Sequence, residues 1–569
     1  MISNHADPDW WRQACVYQIY PRSFADANGD GIGDLKGITS RIPYLVELGV
    51  DAVWLSPFYP SPLKDGGYDV SDYRDVDPRI GTLADFEEMT SKLKVSGIKV
   101  IVDIVPNHSS DEHEWFQAAL AAGKGSKERA RFHFQDGLGP DKSQPPSDWQ
   151  GAFGGPCWTK SGMDDGQWYF HMFDKSQPDF NWENPEVRQD FLETLRFWGK
   201  KGVAGFRIDV AAACTKDLGK DMLLLPWDEV LGRRMRKSKH GNRGEDIDHP
   251  FFDRDETLEI YKEWREVFNE FDPPLCAVAE AYVAPDRKKH YASPDGLGQV
   301  FSFDIMLANF DVGEYRTVID RQMQSLEGSD SSTTWVLSNH DVVRHHTRFG
   351  LPKIEAYNLL AFKKAYAKYL AGDGKDPLAD PAAGLRRGRA ATLMILALPG
   401  STYLYQGEEL GLPEVADIPE DQLQDPTFFL CGKSNKGRDG CRVPLPWTRE
   451  GKNFGYGDGS PAHLPQPKWY DDYAVDVQGQ DPHSTLGMYR TAMKLRKEMQ
   501  REETMQWKED LQLGDQVLAF QRPGGWLTVL NGGEVPVEMP EGEVLVASGE
   551  IKGAKIPPET TVWLRVNQD

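Results

Sequence analysis

The chain has 569 residues, 39% of them hydrophobic, which supplies a large core and excludes disorder as the main state. Its 88 acidic against 65 basic side chains leave a formal charge of −23, a field that repels phosphate backbones and anionic headgroups while leaving neutral ligands untouched. Nucleic acid and membrane surfaces are therefore not expected partners.

In chain order, the start MISNHADPDWW has neither a basic nor an apolar leader segment, and no apolar run approaches the ~18 residues of a spanning helix, so a cytoplasmic protein is expected. Six scattered cysteines lack CxxC or zinc spacing and are expected as reduced thiols; only Cys431 and Cys441 would close a short loop. Short β-branched runs, each followed by a helical pattern, recur at Val16–Pro21, Asp51–Pro57, Ile98–Pro106, Val203–Val210, Leu275–Ala281, Val300–Asp304, Trp335–Asp341 and Thr402–Gly407. Eight such units predict an α/β fold, a (β/α)8 barrel whose site lies at the C-terminal strand ends. There the sequence places Asp103, Asp209, Glu280, Asn339, His340, Asp341 and Glu408. The Gly-, Pro- and Trp-rich interval Ser109–Glu183 is too long for a βα connection and reads as a small domain overhanging the site. Ala211–Asp255 reads as a charged excursion over the rim, and beyond about Arg501 alternating strands predict an antiparallel β-domain. The expected division is a barrel over 1–108 and 184–500, an inserted domain over 109–183 and a β-domain over 501–569.

Three carboxylates carry the chemistry. Arg207 and Asp209 in GFRID lie two apart on a strand and share a face, and the guanidinium is expected to keep Asp209 ionised, as a nucleophile requires. Glu280 stands alone among apolar residues in CAVAEAYV, where desolvation is expected to keep it protonated as a general acid. Asp341 in SNHD lies at a third strand end. An ionised and a protonated carboxyl flanking one bond is what glycoside hydrolysis requires, and the many aromatic residues suit both a core and the apolar faces of sugar rings. Near the start, Asp26-Ala27-Asn28-Gly29-Asp30-Gly31-Ile32-Gly33-Asp34 sets oxygen ligands at alternate positions with glycines between, a pattern for a hard cation or a metal-free Asx turn.

The segments DIVPNH (103–108), GFRIDV (205–210), AEAYV (279–283) and SNHD (338–341), in that order, resemble the four motifs of the α-amylase superfamily, glycoside hydrolase family thirteen. QPDFNW, GYDVSDY and GRDGCRVPLPW are similar to its α-glucosidase and oligo-1,6-glucosidase branch. The resemblance implies Asp209 as nucleophile, Glu280 as acid/base and Asp341 as a carboxylate binding ring hydroxyls. It further implies Tyr68 as stacking aromatic, Asp69 as hydroxyl ligand, His108, Phe153, Arg207 and His340 lining the glucose subsite, and Arg442 clamping the non-reducing end with Asp69, with Arg438 as the substitute clamp. It also implies structural calcium, or magnesium in its place, held by Asp26, Asn28, Asp30, the Ile32 carbonyl and Asp34, and no organic cofactor.

The expected function is a retaining, exo-acting α-glucosidase cutting short maltose- or isomaltose-type oligosaccharides. Two alternatives stand beside it: a transglycosylase or sucrose- or trehalose-acting enzyme of the same superfamily, although DVVRHHTRFG lacks the RLDRD string of sucrose isomerases, and a non-catalytic amylase-like binding protein. Val210, next to the nucleophile, would point away from Asp209 on a strand, yet at a strand terminus its side chain can still border the entrance to the leaving-sugar subsite; valine here accompanies α-1,6 preference in the resembling enzymes, although Ala211-Ala212-Ala213-Cys214 departs from their usual continuation.

Overall fold

The computed structural model describes residues 7–240 and 249–567, with the backbone alone for 234–240. Strands β1 (Cys15–Ile19), β2 (Ala52–Leu55) and β3 (Lys99–Ile104) open the chain. A side excursion contributes the three-stranded antiparallel sheet of β4 (Phe134–Asp136), β5 (Trp158–Lys160) and β6 (Gln167–Phe170). The first sheet then resumes with β7 (Gly205–Ile208), β8 (Cys276–Ala279), β9 (Gly298–Val300), β10 (Thr334–Val336) and β11 (Ser401–Tyr405). These eight strands form one parallel sheet in the order β10-β11-β1-β2-β3-β7-β8-β9. Its two ends meet through a side chain: Thr334 Oγ1 accepts the Ser302 N–H at 2.9 Å and donates to the Val300 carbonyl at 2.9 Å. The sheet is thus a nearly closed barrel.

Strands covered on both faces read as continuous apolar runs, and here they are buried almost throughout. Alternation sorts them into two cores. Val16, Trp54, Ile101, Val278 and Tyr403 pack together inside the barrel, whereas Tyr17, Val53, Val100, Val102, Ala277 and Leu404 pack outward toward the helices. Two residues on from Val16, Ile101 and Gly205, the same parity brings Gln18, Asp103 and Arg207 to the axis at the C-terminal end. Gly205 is required there, since a Cβ would lie 2.4 Å from Cys276 Sγ.

All eight expected strands are present, but several are shorter or shifted. Val300–Asp304 becomes Gly298–Val300, and Trp335–Asp341 ends at Val336, because Arg348 binds the Leu337 carbonyl and Ser338 Oγ accepts the His345 N–H. The backbone before Asp341 is thereby turned out of the sheet. Of the expected excursion Ala211–Asp255, helices Lys220–Leu223 and Trp227–His240 are seen, and residues 241–248 lie outside the described residues. The C-terminal strands β12 (Gln506–Trp507), β13 (Val517–Arg522), β14 (Trp526–Asn531), β15 (Val537–Glu538), β16 (Glu543–Ala547), β17 (Lys555–Ile556) and β18 (Thr560–Arg565) form a separate antiparallel sheet, β12-β13-β14-β18-β16, and the pair β15-β17. That sheet is pinned to the helix Pro381–Ala397 by Trp563 Nε1 donating to the Leu393 carbonyl at 2.9 Å.

Candidate active site

Asp209 and Glu280 each sit one residue past a barrel strand, their N–H groups held by the Ile104 and Ile208 carbonyls at 2.9 Å. The buried Arg207 guanidinium joins three carboxylates: Nη1 donates to Asp103 Oδ1 at 2.9 Å and Asp209 Oδ1 at 2.7 Å, and Nη2 donates to Glu280 Oε2 at 2.5 Å. Asp103 Oδ2 also accepts from the Tyr68 hydroxyl at 2.9 Å and Trp54 Nε1 at 3.3 Å. Asp103 thus holds the guanidinium from below, a role spacing alone did not show.

Two electrostatic expectations change. Glu280 is not isolated, because Arg207 and the Val210 N–H, at 3.1 Å, both donate to Oε2. Nor does Arg207 alone set Asp209: burial, with Glu280, Asp103 and Asp341 nearby, pushes its carboxyl well above the usual aspartate range against the guanidinium's pull. Burial likewise lifts Asp103 to about 6, with Glu280 adding to it and Arg207 opposing. One cation thus faces three crowded carboxylates, whose mutual repulsion opposes ionising all three at once.

Asp341 is the opposite case. Burial raises its carboxyl, yet the guanidinium groups of Arg438, Arg442 and Arg207 outweigh that and hold it below the usual range. Arg442 Nη2 donates to its Oδ1 at 2.9 Å and Arg438 Nη1 at 3.2 Å. His340 is neutral, burial driving its pKa well below the ordinary histidine value. Its ring stacks on Tyr68 at 5.1 Å with 5° between planes, Gln18 Nε2 reaches Nδ1 at 2.7 Å, and Nε2 is buried without a hydrogen-bond partner. With Nδ1 accepting from the amide, Nε2–H is left as a donor. His108 is neutral too, burial pushing it down to about 4.

The geometry corrects the clamp. Asp69 is fully buried away from the cavity, where its carboxylate accepts from the Lys64 N–H at 2.7 Å, the Asp65 N–H at 3.0 Å and the Ser61 hydroxyl at 2.9 Å. The carboxylate that lines the cavity is Asp65, whose oxygens accept from Arg438 Nη2 at 2.6 Å and Gln177 Nε2 at 2.9 Å. Gly66 and Gly67, at φ 61° and 110°, turn the chain so that Asp65 faces inward and Asp69 caps the turn. Arg442 is likewise beneath the site, donating Nε–H to the His340 carbonyl at 2.8 Å, while Arg438 reaches the cavity and lies under Phe153 at 5.0 Å. KDGGYD holds two candidate carboxylates, and only the turn decides between them.

The cavity has a volume of about 420 Å³, within the range of small-molecule sites. Tyr68, His108, Phe153, Asp209, Glu280, His340 and Asp341 all line it, whereas Arg207 acts from underneath. Val210 also lines it, with φ of 44°, a left-handed conformation that is strained for a β-branched residue. Leaving the strand at Ile208 is what turns Val210 toward the site rather than away from Asp209.

The loop Asp26–Asp34 wraps by Asx turns: Asp26 accepts from Gly29 and Gly31 N–H, Asn28 from Asp30, Asp30 from Ile32, and Asp34 from Ala27, Asn28 and Gly37. It is bound to the Tyr456–His463 segment, with Ser460 N–H on the Gly29 carbonyl at 2.6 Å. Among the described residues no three His, Cys, Asp or Glu side chains converge as a metal cluster. The donors present are all hard oxygens, which suits a calcium ion in chemistry.

An eight-stranded parallel barrel with three carboxylates at its C-terminal end defines the class, and the chain matches the alpha amylase catalytic-domain family over residues 18–371 and 379–504: it belongs to that family and is a glycoside hydrolase. It is 35% identical over 505 residues to a probable alpha-glucosidase of Rhizobium meliloti, covering 86% of this chain and 83% of the relative. It is 33% identical over 521 residues to the oligo-1,6-glucosidase of Parageobacillus thermoglucosidasius, covering 86% and 84%. Among solved structures it superposes on the alpha-glucosyl transfer enzyme XgtA with a TM-score of 0.79 at 32% identity, covering 98% and 99% of the two chains.

Proposed function

We propose that the protein is a retaining, exo-acting α-glucosidase that removes glucose from the non-reducing end of short α-linked gluco-oligosaccharides of the maltose and isomaltose type. The observation that carries this is the bridge by which one buried guanidinium holds Asp209 and Glu280 together. Such a bridge suits the short separation of ~5–5.5 Å in retaining hydrolases better than the wider gap that admits a water in inverting ones. Asp209 attacks the anomeric carbon as Glu280 protonates the departing oxygen; Glu280 then takes a proton from the water that releases the glucose. Asp341 and His340 Nε2, which lies 3.5 Å from Asp341 Oδ2, bind ring hydroxyls, Tyr68 offers its face, and Asp65 with Arg438 closes the end beyond the first glucose. An acceptor sugar in place of water would give transfer, a second reading favoured by the likeness to the alpha-glucosyl transfer enzyme. The test is product analysis on maltose, isomaltose, sucrose, trehalose and starch with the anomer of released glucose read by NMR. Initial α-glucose supports the reading; β-glucose, or rapid loss of starch viscosity, refutes retention or exo-action.

Two further parts belong to this reading. We take the oxygens of Asp26, Asn28, Asp30, Asp34 and the Ile32 carbonyl as a structural calcium site, supported by their all-oxygen chemistry and by burial pushing the Asp34 carboxyl up, a cost a cation would relieve. We also place the protein in the cytoplasm, supported by six cysteines that are all unpaired. No described helix is long and apolar enough to cross a membrane.

A further inference from the structure

Gln18 is buried near the end of β1 and reaches the His340 ring from within the barrel. Its amide nitrogen directs one hydrogen at His340 Nδ1, 2.7 Å away, and the other at Ser56 Oγ, just past β2, 3.0 Å away. The amide oxygen is buried with no hydrogen-bond partner among the described residues. The same side chain turned end for end would put oxygen against the ring instead, so the direction of this contact needs a cause.

Asp341 supplies it. Its Oδ1 accepts from Arg438 and Arg442, and its Oδ2 lies 3.5 Å from His340 Nε2. Because the three guanidiniums keep that carboxylate ionised, the ring nitrogen facing it carries a hydrogen; a bare Nε2 would set a lone pair against an anion. The ring is neutral, because burial and the cations of Arg442, Arg207 and Arg438 oppose a second proton more than Asp341 favours it. Nδ1 is then the bare nitrogen and needs a donor, which the Gln18 amide provides. Aromatic packing fixes the ring but not its proton: His340 stacks on Tyr68 at 5.1 Å and on Tyr20 at 6.1 Å, and stands edge-on to Trp54 at 6.1 Å.

We propose that Gln18 is a positioning residue of the site: its amide holds the His340 proton on Nε2, so that a hydrogen-bond donor stands beside the Asp341 acceptor and the two read adjacent sugar hydroxyls together. This rests on the hydrolytic reading of the site, and Gln18 itself touches no substrate.

The test exchanges the amide for its acid. In Gln18→Glu the ionised carboxylate accepts from Nδ1, draws the ring proton there and leaves Nε2 bare toward Asp341. Acidification adds one proton to the new carboxyl and the ring together, and Nε2 regains its hydrogen. On maltose or isomaltose, kcat/KM should therefore fall roughly ten- to a hundredfold at pH 8, and the deficit against wild type should shrink toward pH 5. Gln18→Met removes the amide at similar length and should lose activity evenly across that range, with Tm measured for both variants. Wild-type pH dependence of kcat/KM in Gln18→Glu overturns the proposal. The 15N spectrum of the histidine-labelled enzyme, with His340 assigned by its loss in His340→Gln, reads the tautomer directly. A proton on Nε2 is expected, and one on Nδ1 overturns the proposal whether or not a Gln18 variant folds. An enzyme that cleaves no α-glucoside overturns the functional reading instead, and the spectrum still decides the tautomer.

Discussion

The two carboxylates of KDGGYD separate cleanly by mutation. Asp65→Asn keeps the side chain's size but replaces a charge-assisted hydrogen bond to Arg438, 2.6 Å long, with a weaker one, and removes an anionic acceptor from the closed end of the cavity. Hydrogen bonds to charged groups contribute about 1.5–3 kcal/mol, so at ~1.36 kcal/mol per decade kcat/KM for maltose or isomaltose should fall roughly 10- to 150-fold. Stability should change little, because Arg438 keeps Asp425 at 2.5 Å and Asp341 at 3.2 Å. Asp69→Asn should act in reverse. Its carboxylate holds two backbone N–H groups and a serine hydroxyl, and one amide oxygen cannot accept all three, so a loss of about 1–3 kcal/mol in stability is expected. Steady-state kinetics and thermal melts on both variants decide the matter. A large kinetic loss in Asp69→Asn at unchanged Tm, with near wild-type kinetics in Asp65→Asn, would refute this placement of the two residues.

Asp209→Asn and Glu280→Gln should each lower turnover by several orders of magnitude, and Asp209→Asn should raise Tm at pH 7, because a carboxyl whose folded pKa lies well above its unfolded one loses stability as pH rises and a neutral amide does not; equal or lower Tm would contradict the crowding. Glu408, buried and lifted to about 8, stays protonated in the fold after the unfolded chain has lost that proton, so its contribution to stability is whole below pH ~4.5 and lost as pH rises toward 8. Glu408→Gln should therefore shrink the fall in Tm between pH 5 and pH 8. Val210→Thr should shift selectivity toward α-1,4 bonds by roughly ten- to a hundredfold at most, read as the isomaltose-to-maltose ratio of kcat/KM; an unchanged ratio would move the determinant elsewhere. Chelator should lower Tm more than initial rate if Asp26–Asp34 holds calcium, and an unaltered melt would leave the loop as Asx turns.

The sequence by itself determined the barrel, because alternation of strand and helix patterns is local and eight buried strands carry unbroken apolar runs. It also placed Asp209, Glu280 and Asp341 at strand ends on one rim, with Arg207 two residues before Asp209, whereas the meeting of Asp103 with Arg207 needed the register of β3 against β7. What it did not determine was whatever depends on where a turn sends a side chain. Two glycines at positive φ decide that Asp65 enters the cavity and Asp69 does not, and the early end of β7 at Ile208 swings Val210 into the wall. Charge was likewise out of reach: Glu280 reads as isolated in CAVAEAYV because its partner, Arg207, lies 73 residues away in the chain. Whether a carboxyl keeps its proton depends on burial and on every neighbouring charge at once, and only the assembled barrel brings those charges within reach of one another.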